Sequence, residues 1–113
     1  MRRLILAVLV ACSATARAEF LDGNELLARM NGSNMDKMLA LGYVMAASDA
    51  AREIRICNVP PTVSAGQTHD IVKGYLERFP QVRHFTADVL VGRALEVMWP
   101  CSKAPASPGS RSL

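Results

Sequence analysis

The sequence predicts an all-α fold: a small bundle of about four helices with one disulfide, after an N-terminal signal peptide. Three observations carry this expectation. Beyond residue 19, apolar residues recur at i, i+3 and i+4, and no stretch alternates as a strand does. Each such run opens behind a Ser, Thr, Asp or Asn able to cap a helix. The chain has 113 residues, half of them apolar, which suits one core and leaves no room for a second. It is too apolar for a disordered chain and too short for most enzyme scaffolds.

Residues 1–18, MRRLILAVLVACSATARA, have the form of a secretory signal. Arg2 and Arg3 are its positive start, Leu4 to Ala11 its apolar stretch, and Ala16-Arg17-Ala18 its small-residue cleavage site. The apolar stretch falls well short of the ~20 residues that a membrane span needs, so no stable membrane insertion is expected. Cleavage after Ala18 leaves a helical domain over residues 19–102 and a tail over 103–113, with a periplasmic location. The alternative is lipidation at Cys12, since Leu9-Val10-Ala11-Cys12 has the local form of a lipoprotein signal.

Asp22-Gly23-Asn24-Glu25 reads as an N-cap with an acid three residues on, with Leu21 and Leu26 as its hydrophobic staple. Leu26, Leu27 and Met30 share one face, and Asn31-Gly32 stops the helix. Ser33 or Asn34 caps a longer second helix, running to about Arg52. Its middle, Met38 to Ala47, is apolar on all sides, which predicts a central helix surrounded by others. Gly42, Ala46 and Ala47 are expected to let neighbouring helices approach closely. Pro60 and Pro61 forbid helix in the connection that follows.

A third helix opens at Ser64, with Gln67 completing a capping box, and buries Ile71, Val72, Tyr75, Leu76 and Phe79. Pro80 ends it. After the link Gln81-Val82-Arg83-His84, Thr86 caps a fourth helix, with Phe85 and Leu90 as staple. Leu90, Val91, Ala94, Leu95 and Met98 are expected to face inward, with Trp99 as a lid over the core. The tail from Ser102, SKAPASPGSRSL, has little to bury and is expected to be disordered.

Charge and cysteine content change once the signal is set aside. The whole chain carries +3, but Arg2, Arg3 and Arg17 belong to the signal, and Lys103 and Arg111 to the tail. Residues 19–102 hold eight basic and ten acidic side chains, a net of −2, so nucleic-acid binding loses its electrostatic basis. Cys57 and Cys101 are the two remaining cysteines, and an oxidising compartment favours their pairing; two buried free thiols are the alternative. Closing that loop is worth roughly 4 kcal/mol on the chain-entropy account.

Groups suited to catalysis are sparse. His69 and Asp70 are adjacent on the third helix and are expected to point about 100° apart without pairing. A triad of His69 or His84 with Ser33 or Ser64 has no nucleophile-elbow motif behind it. Two cysteines and two distant histidines lack metal-ligand spacing. No catalytic residue, cofactor or metal is expected, and the protein is read as no enzyme. The five methionines of the domain sit at helical core spacings and are expected to pack rather than to bind. Recognition is placed on the link after the third helix, with Arg78, Gln81, Arg83 and His84 as partner-binding residues. In the competing reading Arg83 hydrogen-bonds a helix carboxyl end and His84 is merely exposed.

Several segments together resemble the type VI secretion amidase immunity proteins (Rap/Tai family). They are Phe20-Leu21-Asp22-Gly23-Asn24-Glu25-Leu26-Leu27, Ala40-Leu41-Gly42-Tyr43-Val44, Cys57, and Val63-Ser64-Ala65-Gly66-Gln67. Tyr75-Leu76, Pro80, Arg83-His84, Ala87, Ala94-Leu95 and Trp99-Pro100-Cys101 complete the set. The resemblance spans about residues 20–101 and rests on order and spacing. It implies a small helical periplasmic protein, a homodimer, with Cys57 joined to Cys101, that binds a peptidoglycan amidase and occludes its cleft. A mature chain of about 10 kDa exposes roughly 5,000 Å². A standard interface takes about 800 Å² per partner, so an amidase contact and a dimer contact both fit. The alternative function is a periplasmic stress or chaperone-like helical protein without a toxin partner, which would suppress aggregation of acid-denatured clients.

Overall fold

The computed structural model describes residues 21–101. The expected signal, the Cys12 alternative and the tail lie outside the described residues. Four helices follow in order: α1 (Gly23–Met30), α2 (Asn34–Ala51), α3 (Ala65–Arg78) and α4 (Ala87–Met98), with a 3-10 turn over Pro80–Val82 between the last two. Among the described residues there is no strand, only isolated bridges such as Asp22 with Thr86 and Ile56 with Pro100. The all-α expectation holds.

Local chemistry explains where the helices start. The Asp22 carboxylate accepts from the Glu25 N–H at 2.8 Å and opens α1. Ser33 opens α2 with a full capping box to Asp36, and Ser64 opens α3 with one to Gln67 (3.1 and 2.8 Å). Thr86 has the extended backbone of an N-cap, but its hydroxyl makes no capping bond. The start of α4 is held instead by tertiary contact, the Ala87 N–H donating to the Leu21 carbonyl at 2.7 Å.

Asp36 carries a pH dependence. The Ser33 backbone N–H and then the Ser33 hydroxyl, with a smaller contribution from Arg29, hold its carboxyl below the ordinary value of 3.8. A carboxyl lowered by folding stabilises the protein above its unfolded value, and that support is lost as pH falls through the folded one. Asp36→Asn is therefore expected to lower the thermal midpoint at neutral pH, with the gap to the parent closing below pH 3.8. A gap that stays constant into strong acid contradicts this assignment.

The four helices bury one core, whose largest members are Leu26, Ile56, Leu76, Leu90 and Leu95. Helix α2 departs from expectation. It packs against α1, α3 and α4, yet only Ala40, Val44, Ser48 and Ala51 on it are buried. Met35, Met38 and Leu39 are 65%, 69% and 52% exposed. Gly42 and Ala46 are also exposed, and a Cβ added to Gly42 meets nothing within 4 Å. So among the described residues α2 is not surrounded, and neither residue serves a close helix approach there. The three described neighbours all lie along one stripe of α2 and leave its other side exposed. Met98 is a second correction: it is 53% exposed and borders a groove instead of entering the core.

Cys57 and Cys101 form the disulfide, with 4.6 Å between their Cα atoms. The Cys57 N–H also donates to the Trp99 carbonyl at 2.9 Å, so the segment after α2 is bolted to the end of α4. Trp99 packs half-buried against the core, as expected of a lid. The turn before Cys57 places Glu53 at φ 64°, and Asn58, just after Cys57, lies at φ 56°. Arg55 reaches from that turn over Gly92 to Glu96 at 3.2 Å; a Cβ at Gly92 would stand 2.9 Å from the Arg55 guanidinium. Glycine is what makes room for that ion pair.

Candidate functional site

The site begins where α3 stops. Pro80 has no N–H to continue the helix, and the Phe79 N–H makes a last bond to the Tyr75 carbonyl at 3.1 Å. The chain then turns back, and Arg83 folds under the helix it has just left. Its Nε donates to the Leu76 carbonyl at 2.6 Å and its Nη2 to the Glu77 carbonyl at 3.4 Å. A guanidinium satisfies two orphan carbonyls and complements the negative end of the helix. Arg83 is thus half-buried and points inward.

From the other side, α1 clamps the link. The Gly23 N–H donates to the Phe85 carbonyl and the Asn24 N–H to the Arg83 carbonyl, both at 3.1 Å. A Cβ on Gly23 would fall 2.9 Å from the Arg83 carbonyl oxygen, so only glycine allows this approach. The result is a fixed surface loop. Gln81 and His84 are exposed on it, and Arg78 is exposed at the end of α3 beside it. The His84 ring lies 4.3 Å from the Phe85 ring, over which the Arg93 guanidinium sits at 5.1 Å. Phe85, expected as a staple, is 40% exposed and lies outside the core cluster. It is an aromatic surface group carrying a cation on its face.

Arg78 and Phe79 also belong to a groove of about 550 Å³ between α3 and α4. Ile71, Tyr75 and Phe79 form one wall and Ala94, Val97 and Met98 the other, with Asp70 and Arg78 toward the two ends. Eight residues separate that carboxylate from that guanidinium, about 12 Å along a helix. The Tyr75 and Phe79 rings pack at 4.9 Å. Gly74, between Asp70 and Arg78 along α3, is part of the lining, and a Cβ added there meets nothing within 4 Å. An apolar trough with opposite charges near its ends is suited to hold a protein segment by shape and charge.

The structure does not assemble a catalytic constellation from the residues weighed for one. His69 does reach Asp70, Nδ1 to Oδ1 at 3.3 Å, contrary to the expectation that adjacent helix positions keep them apart. Their Cβ atoms diverge, but both side chains are long enough to fold together over the helix surface. The His69 side chain is 17% exposed, but the Asp70 carboxylate is 81% exposed and solvated, so the pair contributes little. The Ser33 and Ser64 hydroxyls are engaged in helix caps. Among the described residues no group of three or more His, Cys, Asp or Glu is placed to hold a metal ion. No helix there is long and apolar enough to cross a membrane.

Of the four partner-binding residues read from the sequence, the link thus displays Gln81 and His84, the groove takes in Arg78, and Arg83 fastens the loop. Sequence reading did not separate the groove from the core. The signal was present in the spacing: Ile71, Tyr75 and Phe79 form a second apolar stripe beside Val72 and Leu76, making the apolar face wider than one neighbour covers.

The family described as Rap1a immunity proteins matches residues 22–101, and the chain belongs to that family. This makes it an immunity-type protein of type VI secretion, in a family that is generally non-enzymatic and binds a protein effector. A comparison with curated proteins found no match.

Proposed function

We propose that this chain is a periplasmic immunity protein that sterically inhibits a peptidoglycan amidase effector of type VI secretion, and that it works as a homodimer. The observation that carries the inhibitor reading is the groove between α3 and α4, continuous through Arg78 and Phe79 with the fixed loop that displays Gln81 and His84. Loop and groove offer a preorganised surface, which lowers the entropy cost of binding. Arg78 and His84 supply charge and hydrogen bonds, the apolar walls supply burial, and Arg83 keeps the loop in place. A few buried anchors on such a surface can supply the roughly −12 kcal/mol of nanomolar inhibition.

The test is biochemical. The reading frames beside its gene are searched for a cysteine–histidine amidase, the purified protein is mixed with that enzyme, and release of cleaved peptidoglycan is followed. Stoichiometric inhibition is expected from the parent protein. Gly74→Arg, whose Cβ meets nothing within 4 Å and whose side chain starts from the groove lining, is expected to weaken inhibition at least about 100-fold, the scale of a lost hot spot. No inhibition by the parent protein contradicts the function. Full inhibition by Gly74→Arg contradicts the placing of the site.

A further inference from the structure

Residues 102–113 read SKAPASPGSRSL, and they lie beyond the residues that the family matches. Their composition is specific. They carry Lys103 and Arg111 and no acid, a charge of +2, against −2 for residues 19–102. Pro105 and Pro108 stand in P-x-x-P spacing, with Lys103 two residues ahead. Segments of that spacing dock in grooves lined by aromatic rings, because proline has its φ fixed beforehand and little entropy is lost. A flanking cation then finds its complement in an acid at the rim of the groove. The α3–α4 groove has both: the Tyr75 and Phe79 rings and the Asp70 carboxylate.

We infer that this segment occupies the α3–α4 groove of its own chain, with Pro105 and Pro108 at the aromatic rings and Lys103 at Asp70, and that an effector displaces it. The inference rests on the reading of the groove as the effector site and adds its regulation. Attachment, length and charge carry it. Met98 is part of the groove wall, and three residues on the disulfide holds Cys101 to the exit of α2. The segment therefore sets out beside the trough from a fixed point. Five residues from Met98 to Lys103 reach up to ~17 Å, more than the about 12 Å that separates Asp70 from Arg78. Six residues from Lys103 to Pro108, at ~3.1 Å each in an extended proline-rich chain, are enough to run its length. The Asp70 carboxylate is 81% exposed, and its one ion-pair partner among the described residues is the adjacent His69. Val97 and Met98, 74% and 53% exposed, gain a cover. A tether sets the local concentration near millimolar, so a weak contact fills the groove and yields to an effector that buries more surface.

The test compares the protein purified from a periplasmic extract with the same chain cut after Ser102, which keeps both cysteines. Backbone amide NMR spectra of each are titrated with a synthetic peptide of residues 102–113. The peptide is expected to bind the cut chain saturably, to shift the Gly74 and Val97 amides, and to bring them to their positions in the intact chain. The intact chain is expected to need at least about 3-fold more peptide, because its own segment competes. Gly74→Arg in the cut chain is expected to abolish binding. Asp70→Lys, at a side chain already 81% exposed, is expected to weaken it and covers the case that the first variant misfolds. A cut chain that takes no peptide, binding that both variants retain, or groove amides unchanged by the cut overturns the inference. Amidase inhibition is read separately, and the cut chain is expected to inhibit about 3–10-fold more tightly than the intact one. Equal inhibition by the two overturns the displacement; a groove that takes the peptide while neither chain inhibits overturns only the proposed function.

Discussion

Replacing Cys57 and Cys101 together by serine is expected to lower the unfolding free energy by about 4 kcal/mol. The bond closes a sequence separation of 44 residues and joins the exit of α2 to the exit of α4. Without it the unfolded chain regains that loop entropy, and the native connection keeps the Cys57–Trp99 backbone bond, the bridge at Ile56 and Pro100, and the Arg55–Glu96 ion pair. For a domain of this size the loss corresponds to a fall of about 15–30 °C in thermal midpoint. Reducing the parent protein is expected to reproduce it. A fall under about 5 °C in both experiments contradicts the claim that the staple carries a large share of the stability.

Leu76→Ala is expected to cost about 3–5 kcal/mol. Leu76 is fully buried on α3, on the face that packs into the bundle. Its own carbonyl holds the Arg83 side chain, so the residue links core and loop. Marginal stability on the order of 4–12 kcal/mol is expected for a domain of this length, so this substitution removes a large share of it. Denaturant unfolding measures the loss. Below about 1 kcal/mol, the site either refills completely or was never close-packed. The cysteine pair and Leu76 combined are expected to leave little folded protein.

What the sequence made legible follows the range of the forces involved. Helix starts at Asp22, Ser33 and Ser64 rest on bonds across three residues; Asp22 and Ser64 stand where reading placed them, and of the two candidates Ser33 and Asn34 it is Ser33 that caps. The pairing of Cys57 with Cys101 needed only compartment and number, together with the family resemblance. The surroundings of α2 depended on something no local pattern encodes, namely how many other helices reach it and from which side. Its apolar middle showed that burial was feasible, but the helices of the described residues cover one stripe only.

The loop shows the same division. Arg78, Gln81, Arg83 and His84 were legible as a donor-rich segment beside a helix-ending proline. Which way each points was left between two readings, and for Arg83 the competing one, a bond to a helix carboxyl end, is what the structure shows. Arg83 turns inward because Leu76 and Glu77 offer unsatisfied carbonyls, while the α1 backbone N–H groups take the carbonyls of Arg83 and Phe85. His84 and Phe85 stay outside, and Arg93 from α4 lies over the Phe85 ring.

The most direct test of the immunity role is survival under attack. A strain lacking this gene is mixed with its parent, whose type VI secretion system is active, and viable cells are counted against a secretion-deficient control. The account predicts that the deletion strain is lysed only by the active attacker, and that the parent gene restores survival while Gly74→Arg does not. Equal survival of deletion strain and parent under active attack would contradict it.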